Sequence, residues 1–379
     1  MRSTTSWITS LVLALTLHAA EGAEALVVGA VVSQSGALAE LAADYRRGLL
    51  LWQDEVNAAG GLLGRRVEMR ILDDRSEAPR AAVLYRQLID ESGAELLVGP
   101  YGSAASLVAA SVAEQARRVL VNGGGAGRAV HRRAPRYVFQ STVPYAAYGE
   151  QAVALAKAQG LRSLFIVARD DPASREMAEA AHAAASAEGM SAGAPAYYAV
   201  SGDFGAHVQK ARDAHTEAWI SFAEARDAAD MARAFKEHGY APQLFFARGV
   251  ADPKFVSLAG INGERSVGAA AYDARLAPPD DRFLKAFKAK WSSAPGPSAA
   301  EGYAAAIVLA AAVAQAKTLE QEKLRAALAA LRTDTPLGGY RVDSASGAQL
   351  AARPVMMQIV EGRPRAVAPG SRLLPFQGK

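Results

Sequence analysis

Apolar runs alternate with longer amphipathic segments between residues 25 and 140 of the chain. Continuous apolar runs of a few residues are typical of strands buried on both faces, and apolar positions repeated every three or four residues are typical of helices. The predicted strands cover 25–32, 67–72, 94–98 and 119–121. The predicted helices cover 42–59, 79–92 and 104–117. This alternation predicts a parallel sheet with helices on both of its faces.

The same alternation repeats between residues 142 and 270. Strands are predicted at 164–167, 197–200, 218–222 and 244–246. Helices are predicted at 173–188, 204–214 and 225–238. Two such runs predict an α/β protein with two Rossmann-like lobes, each built on a parallel-rich sheet.

The residues that follow each strand are the first candidates for a binding site, because open parallel sheets bind ligands beyond the carboxyl ends of their strands. Three consecutive glycines, 123–125, follow the fourth predicted strand. Consecutive glycines are unfavourable inside a helix or strand because they lose much backbone entropy there. They could form a phosphate cradle, a loose hinge, or a set of backbone amides that binds a small anion.

Adjacent carboxylates follow two other strands, at Asp73-Asp74 and Asp170-Asp171. Such pairs could serve acid–base catalysis, but adjacent side chains diverge, so loop capping or solvation is the expected role.

Composition indicates a globular protein of about two domains, since the chain has 379 residues and is 51% apolar. The formal charge is only +4 and the basic residues are scattered. No nucleic-acid partner is therefore expected.

The N-terminus has the pattern of a secretory signal peptide, predicted over residues 1–25. Arg2 precedes an apolar run between Trp7 and Leu15, and small residues accumulate between Ala19 and Ala25. The run is shorter than the roughly 20 residues that span a membrane, and the alanine-rich stretch 304–315 is expected to be a packed helix. The chain contains no cysteine, so neither a lipid anchor on cysteine nor a disulfide framework is expected. These features predict a periplasmic location in a Gram-negative cell.

The usual motifs of catalysts and cofactor sites are missing from the sequence. It contains no P-loop, no dinucleotide fingerprint, no H-E-x-x-H and no G-x-S-x-G elbow. Its six histidines are dispersed. The sequence therefore predicts a protein that is not an enzyme and that needs neither a cofactor nor a metal.

Four segments of the sequence, taken in their order along the chain, form a distinctive pattern. The first two are RRGLLLWQDEVNAAGGLLGRRVEMRILDD (46–74) and ELLVGPYGSAAS (95–106), and the later two are AFKAKWSSAPGPSAAEGYAAAIVLAAAV (286–313) and VMMQIVEGR (355–363). The set resembles the leucine/isoleucine/valine-binding-protein family, the type I periplasmic receptors of ABC importers.

The resemblance implies two lobes joined by three crossovers near 140–143, 269–273 and 340–346. The first lobe would comprise 26–141 with 272–342, and the second 142–270 with 345–379. The ligand would bind in the cleft and the lobes would close on it. The protein would be a monomer that delivers its ligand to a membrane ABC permease.

In this family two neighbouring loops of the first lobe bind the carboxylate of the ligand. The resemblance places the corresponding residues at Tyr101, Gly102, Ser103, Gly124, Gly125 and Ala126, and Ser35 after the first strand is a further candidate. Ala126 stands where relatives often carry threonine, so the anion site would depend more on backbone amides. Ser103 could also be the N-cap of the helix 104–117.

The second lobe departs from the family at Arg248, where branched-chain amino-acid receptors have an acidic residue for the ammonium of the ligand. A guanidinium there favours a second anionic or carbonyl group. Glu224 could supply a counter-charge or could pair with Arg248, and Arg248 could also lie just outside the cleft. Tyr145 and Tyr148 could stack on the ligand or pack at the hinge.

Together these features predict a periplasmic receptor for a small carboxylate-bearing ligand: an amino acid, keto acid, dicarboxylate, aromatic acid or amide. The alternative is a ligand-sensing receptor of the same fold that acts in signalling. The sequence does not separate the two.

Overall fold

The computed structural model describes residues 24–199 and 202–376. The predicted signal peptide, 1–25, lies almost wholly outside the described residues, and so does the end of the strand predicted at 197–200.

The first sheet has five parallel strands and is covered by helices. Its strands are β1 (Leu26–Val31), β2 (Val67–Leu72), β3 (Leu96–Val98), β4 (Leu120–Asn122) and β5 (Val138–Gln140), in the order β2-β1-β3-β4-β5. The helices between them are α1 (Ala39–Ala58), α2 (Ala78–Asp90) and α3 (Ser103–Ala116). All six residues of β1 are buried, as expected for an apolar strand covered on both faces.

The chain then passes through α4 (Tyr145–Ala158) into a second sheet. Its first strands are β6 (Ser163–Arg169), β7 (Ser191–Ala192), β8 (Ala196–Tyr198), β9 (Ala218–Phe222), β10 (Leu244–Ala247) and β11 (Val267–Ala270). The helices are α5 (Pro172–Ala187), α6 (Gly205–Asp213), α7 (Ala225–Glu237) and α8 (Phe255–Ala259). The short β7 was not predicted, because two residues carry no apolar pattern.

Three helices and two hairpins complete the chain. The helices are α9 (Arg282–Trp291), α10 (Pro297–Ala316) and α11 (Gln321–Ala330), and the strands are β12 (Thr333–Thr335), β13 (Gly338–Tyr340), β14 (Val355–Val360) and β15 (Arg363–Val367). β14 pairs antiparallel with β11 and β15 pairs antiparallel with β14, giving the order β15-β14-β11-β10-β9-β6-β7, with β8 also paired to β6. The predicted α/β fold with two parallel-rich sheets is confirmed.

Helix α10 packs along α1 and against the first sheet. By length and composition it is the one helix of the described residues that could cross a membrane, but 56% of its most apolar window is buried inside the protein. Its alanines at 299, 300 and 304 are fully buried. The expectation of a packed helix over 304–315 is therefore confirmed.

The two halves of the molecule meet at the carboxyl ends of their strands. The amide of Tyr145, at the start of α4, donates to the carbonyl of Ala126 in the loop after β4 at 3.2 Å. The amide of Arg128, in a short 3₁₀ turn, donates to the carboxylate of Glu176 on α5 at 2.9 Å. The loops that follow β3 and β4 therefore face the second half of the chain.

Candidate functional site

The loop after β3 ends at an uncapped helix N-terminus. Helix α3 begins at Ser103 with Gly102 in the N-cap position, and no side chain caps it. The possible role of Ser103 as N-cap was therefore wrong, because the helix begins one residue earlier than predicted. The hydroxyl of Ser103 instead accepts a hydrogen bond from the amide of Gly127 at 3.2 Å. Free amides at a helix N-terminus attract anions, and Ser103 stands beside them.

Glycine is required at positions 124 and 125 because a larger side chain would overlap neighbouring atoms. A Cβ on Gly124 would lie 2.5 Å from the carbonyl oxygen of Pro100, and one on Gly125 would lie 2.4 Å from the hydroxyl of Ser106. Neither glycine has a positive φ, so close packing is what selects glycine here. Gly124 also pairs with Tyr101 in an isolated parallel bridge, which holds the loops after β3 and β4 together.

Asn122, at the end of β4, fixes the conformation of this glycine loop. Its buried Oδ1 accepts from the amide of Gly125 at 2.8 Å and lies 3.0 Å from the hydroxyl of Ser106, and its Nδ2 donates to the carbonyl of Gly125 at 2.9 Å. The amide of Gly102 is also engaged, since it donates to the carbonyl of Gly124 at 3.1 Å. Gly102, Gly124 and Gly125 thus shape the loops, and the amides of Gly102 and Gly125 are already used.

The donors that remain for an anion are few and adjacent. Among the hydrogen bonds of residues 24–199 and 202–376, none uses the amide of Ala126. Because the next amide along the chain, that of Gly127, donates to the hydroxyl of Ser103, the Ala126 amide lies near this hydroxyl and the first turn of α3. Convergent donors of this kind suit a carboxylate, since a hydrogen bond to a charged group contributes about 1.5–3 kcal/mol.

Aromatic side chains surround this group of donors. Tyr145 is half-buried and Tyr148 is buried, and burial raises the pKa of both hydroxyls. Hydrogen bonding to Ser103 partly offsets the rise in the pKa of Tyr145, which places that hydroxyl beside Ser103. From the other side, Tyr101 hydrogen-bonds the hydroxyl of Ser298 at 3.3 Å, and its ring lies 5.7 Å from that of Tyr45.

Arg248 and Glu224 form an ion pair in the second half of the molecule. Burial lowers the pKa of Arg248, but attraction to the carboxylate of Glu224 and proximity to Tyr148 and Tyr145 raise it by more. The Nε atom of Arg248 is buried without a partner among the described residues, whereas Glu224 is 54% exposed. Arg248 thus lies beside the two tyrosines, and much of its charge is balanced within the protein.

Glu301 is a residue that sequence reasoning missed. It is the one charged residue of α10, and this isolation was the signal that could have found it. Its carboxylate accepts a hydrogen bond from the hydroxyl of Thr142 at 2.9 Å. Burial raises the pKa of Glu301 to about 7 and the Thr142 hydrogen bond lowers it slightly, while no basic group of the described chain contributes.

Ser35 is not brought to this group. It is exposed, and its hydroxyl donates to the carboxylate of Asp73 at 2.7 Å, which joins the loops after β1 and β2. Asp171 caps α5 by accepting from the amides of Ala173 and Ser174, each at 3.0 Å. Both acidic pairs therefore contain loop or helix caps, as expected.

A cavity of about 760 Å³ lies elsewhere, and its lining includes Arg65, Arg70 and Glu95 near the amino end of β1. Arg65 and Glu95 pair with one another there, so the polar groups of this cavity do not converge on an empty space. The residues that the structure describes contain no group of three or more acidic, histidine or cysteine side chains that could hold a metal ion.

Comparison with known families gives a match over most of the chain. The family model described as "Periplasmic binding protein" matches residues 25–364. The chain belongs to this family. The resemblance to leucine/isoleucine/valine-binding proteins is also confirmed, because a Leu/Ile/Val-binding protein homolog 8 of Brucella abortus (strain 2308) is 36% identical over 115 residues. That match covers 30% of this chain and 28% of the relative, so the chain spans about a third or less of the length of the curated relatives it matches.

Solved structures of the same fold cover nearly the whole chain. An ABC transporter substrate-binding protein from Desulfitobacterium hafniense in complex with Leu has a TM-score of 0.74 and 20% identity, covering 91% of this chain and 100% of its own. A solute-binding protein of an ABC transporter from R. palustris in complex with benzoate has a TM-score of 0.70 and 20% identity, covering 92% of this chain and 97% of its own. At these identities the structures establish the shared fold.

Proposed function

We propose that the chain is a periplasmic solute-binding receptor of an ABC importer and that it binds a small carboxylate-bearing ligand between two lobes. The observation that carries the proposal is the convergence of the Ser103 hydroxyl, the Ala126 amide and the uncapped N-terminus of α3 opposite Tyr145. The ligands of the two solved relatives support it, because leucine and benzoate share a carboxylate and little else.

The lobes are proposed to be 26–141 with 272–342, and 142–270 with 345–379. The separate five-stranded and eight-stranded sheets support this division. Ligand that contacts both lobes would stabilise the closed form, which a membrane permease would then recognise. The mature protein would act as a monomer in the periplasm after removal of the signal peptide.

Ser103→Ala tests the carboxylate site. Loss of one hydrogen bond to a charged group should weaken a carboxylate ligand by about 10- to 100-fold. Thermal-shift screening of amino, keto, aromatic and dicarboxylic acids would find ligands of the wild type, and titration calorimetry would then compare the variant. Ser257→Ala is the matched control, because the Ser257 hydroxyl only donates to the carbonyl of Lys254 on the surface.

Two outcomes would contradict the proposal. One is the absence of any stabilising carboxylate in the screen. The other is a carboxylate ligand that binds Ser103→Ala and Ser257→Ala equally well.

A further inference from the structure

Glu301 is a half-buried residue of α10 that lies beside Gly123 in the loop after β4. It lies on the second turn of α10, whose first turn contacts Tyr101 through Ser298. Its hydrogen-bond partner Thr142 is fully buried in the segment that leads from β5 to α4. Because this segment connects the two sheets, Glu301 stands where both halves of the molecule meet.

No positive charge of the described chain balances Glu301. The groups that face it are the hydroxyl of Thr142, Tyr45 from α1, Tyr101 from the loop after β3, and Tyr145 and Tyr148 from α4. The tyrosine pKa values are all raised, so these side chains are neutral at ordinary pH. The nearest guanidinium on the opposite side, Arg248, is paired with Glu224.

A carboxylate that is partly removed from water and has no basic partner is costly. Two changes relieve this cost: the carboxylate takes up a proton, or a positive group of a ligand binds to it. Protonation in the free protein agrees with the raised pKa of Glu301.

Tyr145 connects Glu301 to the proposed carboxylate site. Its hydroxyl lies near Ser103, and the negative charge of Glu301 raises its pKa further. The carbonyl oxygen of Glu301 also lies 3.2 Å from the position that a Cβ on Gly123 would take in the glycine loop. The two sites are therefore close enough for one small molecule to reach both of them.

We propose that Glu301 binds an ammonium group of the ligand while Ser103 and Ala126 bind its carboxylate, so that the cargo is a small amino acid rather than a simple or double acid. This inference rests on the proposed function. Arg248 led us to expect a second anionic or carbonyl group on the ligand. The inference reverses this expectation, because the carboxylate that would pair with an ammonium group lies on α10 and not in the loop after β10.

Paired probes test the inference in the wild-type protein. L-leucine would be compared with 4-methylpentanoate, and L-phenylalanine with 3-phenylpropanoate, by titration calorimetry. Within each pair the two molecules differ in the amino group. At about pH 8 we expect at least one of the amino acids to bind about tenfold or more tightly than its analogue, because only the amino acid pairs with ionised Glu301.

The pH dependence gives an independent readout. An ammonium ligand binds the ionised form of Glu301, so affinity is full above the pKa of about 7 and is lost as the pH falls through it. Between about pH 8 and about pH 6 the affinity for the amino acid should fall about tenfold. Binding of the analogue should not fall.

Glu301→Gln keeps the acceptor for Thr142 and removes the charge. The variant should bind the amino acid and its analogue with equal affinity, and this affinity should no longer depend on pH. Glu237→Gln, on the exposed end of α7, should behave as the wild type.

If Glu301→Gln fails to fold, the wild-type probe pairs and the pH series still test the inference. Equal wild-type affinity within both probe pairs, no binding of either amino acid, or affinity independent of pH overturns the inference. The receptor function survives that result if Ser103→Ala still weakens a carboxylate found by screening.

Discussion

At the scale of single residues, the neighbour of a charge decides what that charge can do. Arg248 alone indicates a site for a second anion, but its pairing with Glu224 removes much of that capacity. Glu301 has no basic partner among the described residues, so a proton or a positive group of a ligand is needed to balance its charge.

Removing the Glu224 charge should restore the anion-binding capacity of Arg248. Glu224→Gln should raise the affinity for phthalate relative to benzoate by about three- to tenfold, because the freed guanidinium can pair with a second carboxylate. Titration calorimetry measures the ratio of affinities. Glu188→Gln is the control, since Glu188 forms an exposed ion pair with Lys157 elsewhere. An unchanged ratio would show that Arg248 does not face the ligand.

At the scale of elements, the anion site depends on how closely α3 and two loops approach one another. Asn122 at the end of β4 binds both backbone groups of Gly125 and lies against Ser106 of α3. The absence of a Cβ at Gly125 permits this contact. The sequence singled out the glycines as possible anion-binding amides. In the structure Gly124 and Gly125 are required by close packing, and the amide of Ala126 next to them makes no hydrogen bond among the described residues.

Gly125→Ala should destabilise the protein by about 1–3 kcal/mol, since the added methyl would overlap Ser106 and Asn122 in a packed region. Urea unfolding followed by circular dichroism gives the free energy of unfolding. Gly193→Ala is a matched control, because Gly193 has open space around it and no positive φ. Equal stability of the two variants would count against tight packing of the loop.

At the scale of the whole molecule, contacts between the first sheet and α5 hold the two halves of the chain together. The carboxylate of Glu176 accepts from the amide of Arg128 at 2.9 Å, and the Arg128 guanidinium pairs with Glu179 at 2.6 Å. Arg128 lies between β4 and β5 of the first sheet, and both glutamates lie on α5 of the second half. In the proposed two-lobe receptor, these contacts would favour a closed form whether or not ligand is present.

The double variant Glu176→Gln/Glu179→Gln should therefore shift the ligand-free protein toward an open form. We expect a larger radius of gyration in small-angle X-ray scattering and a ligand affinity about two- to fivefold weaker, in keeping with exposed pairs. Glu361→Gln, which disrupts an exposed pair within the last hairpin, should change neither quantity. An unchanged radius and affinity in the double variant would mean that these contacts do not control closure.

The sequence by itself determined most of the elements and the edge of the sheets where the site is proposed. Strands such as β1 and helices such as α1 follow from local periodicity, and strand ends in parallel sheets necessarily meet at one edge. The loops around Ser103 and Ala126 could therefore be predicted from the sequence and the family resemblance.

Only the tertiary structure decided which side chains face one another. Glu301 and Thr142 lie 159 residues apart in the chain, and Ser35 contacts Asp73 from 38 residues away. Periodicity reports which face of an element is buried, but it carries no information on contacts between distant elements. The charges available to a ligand depend on those contacts, because burial and pairing decide whether a carboxylate or a guanidinium is balanced within the protein.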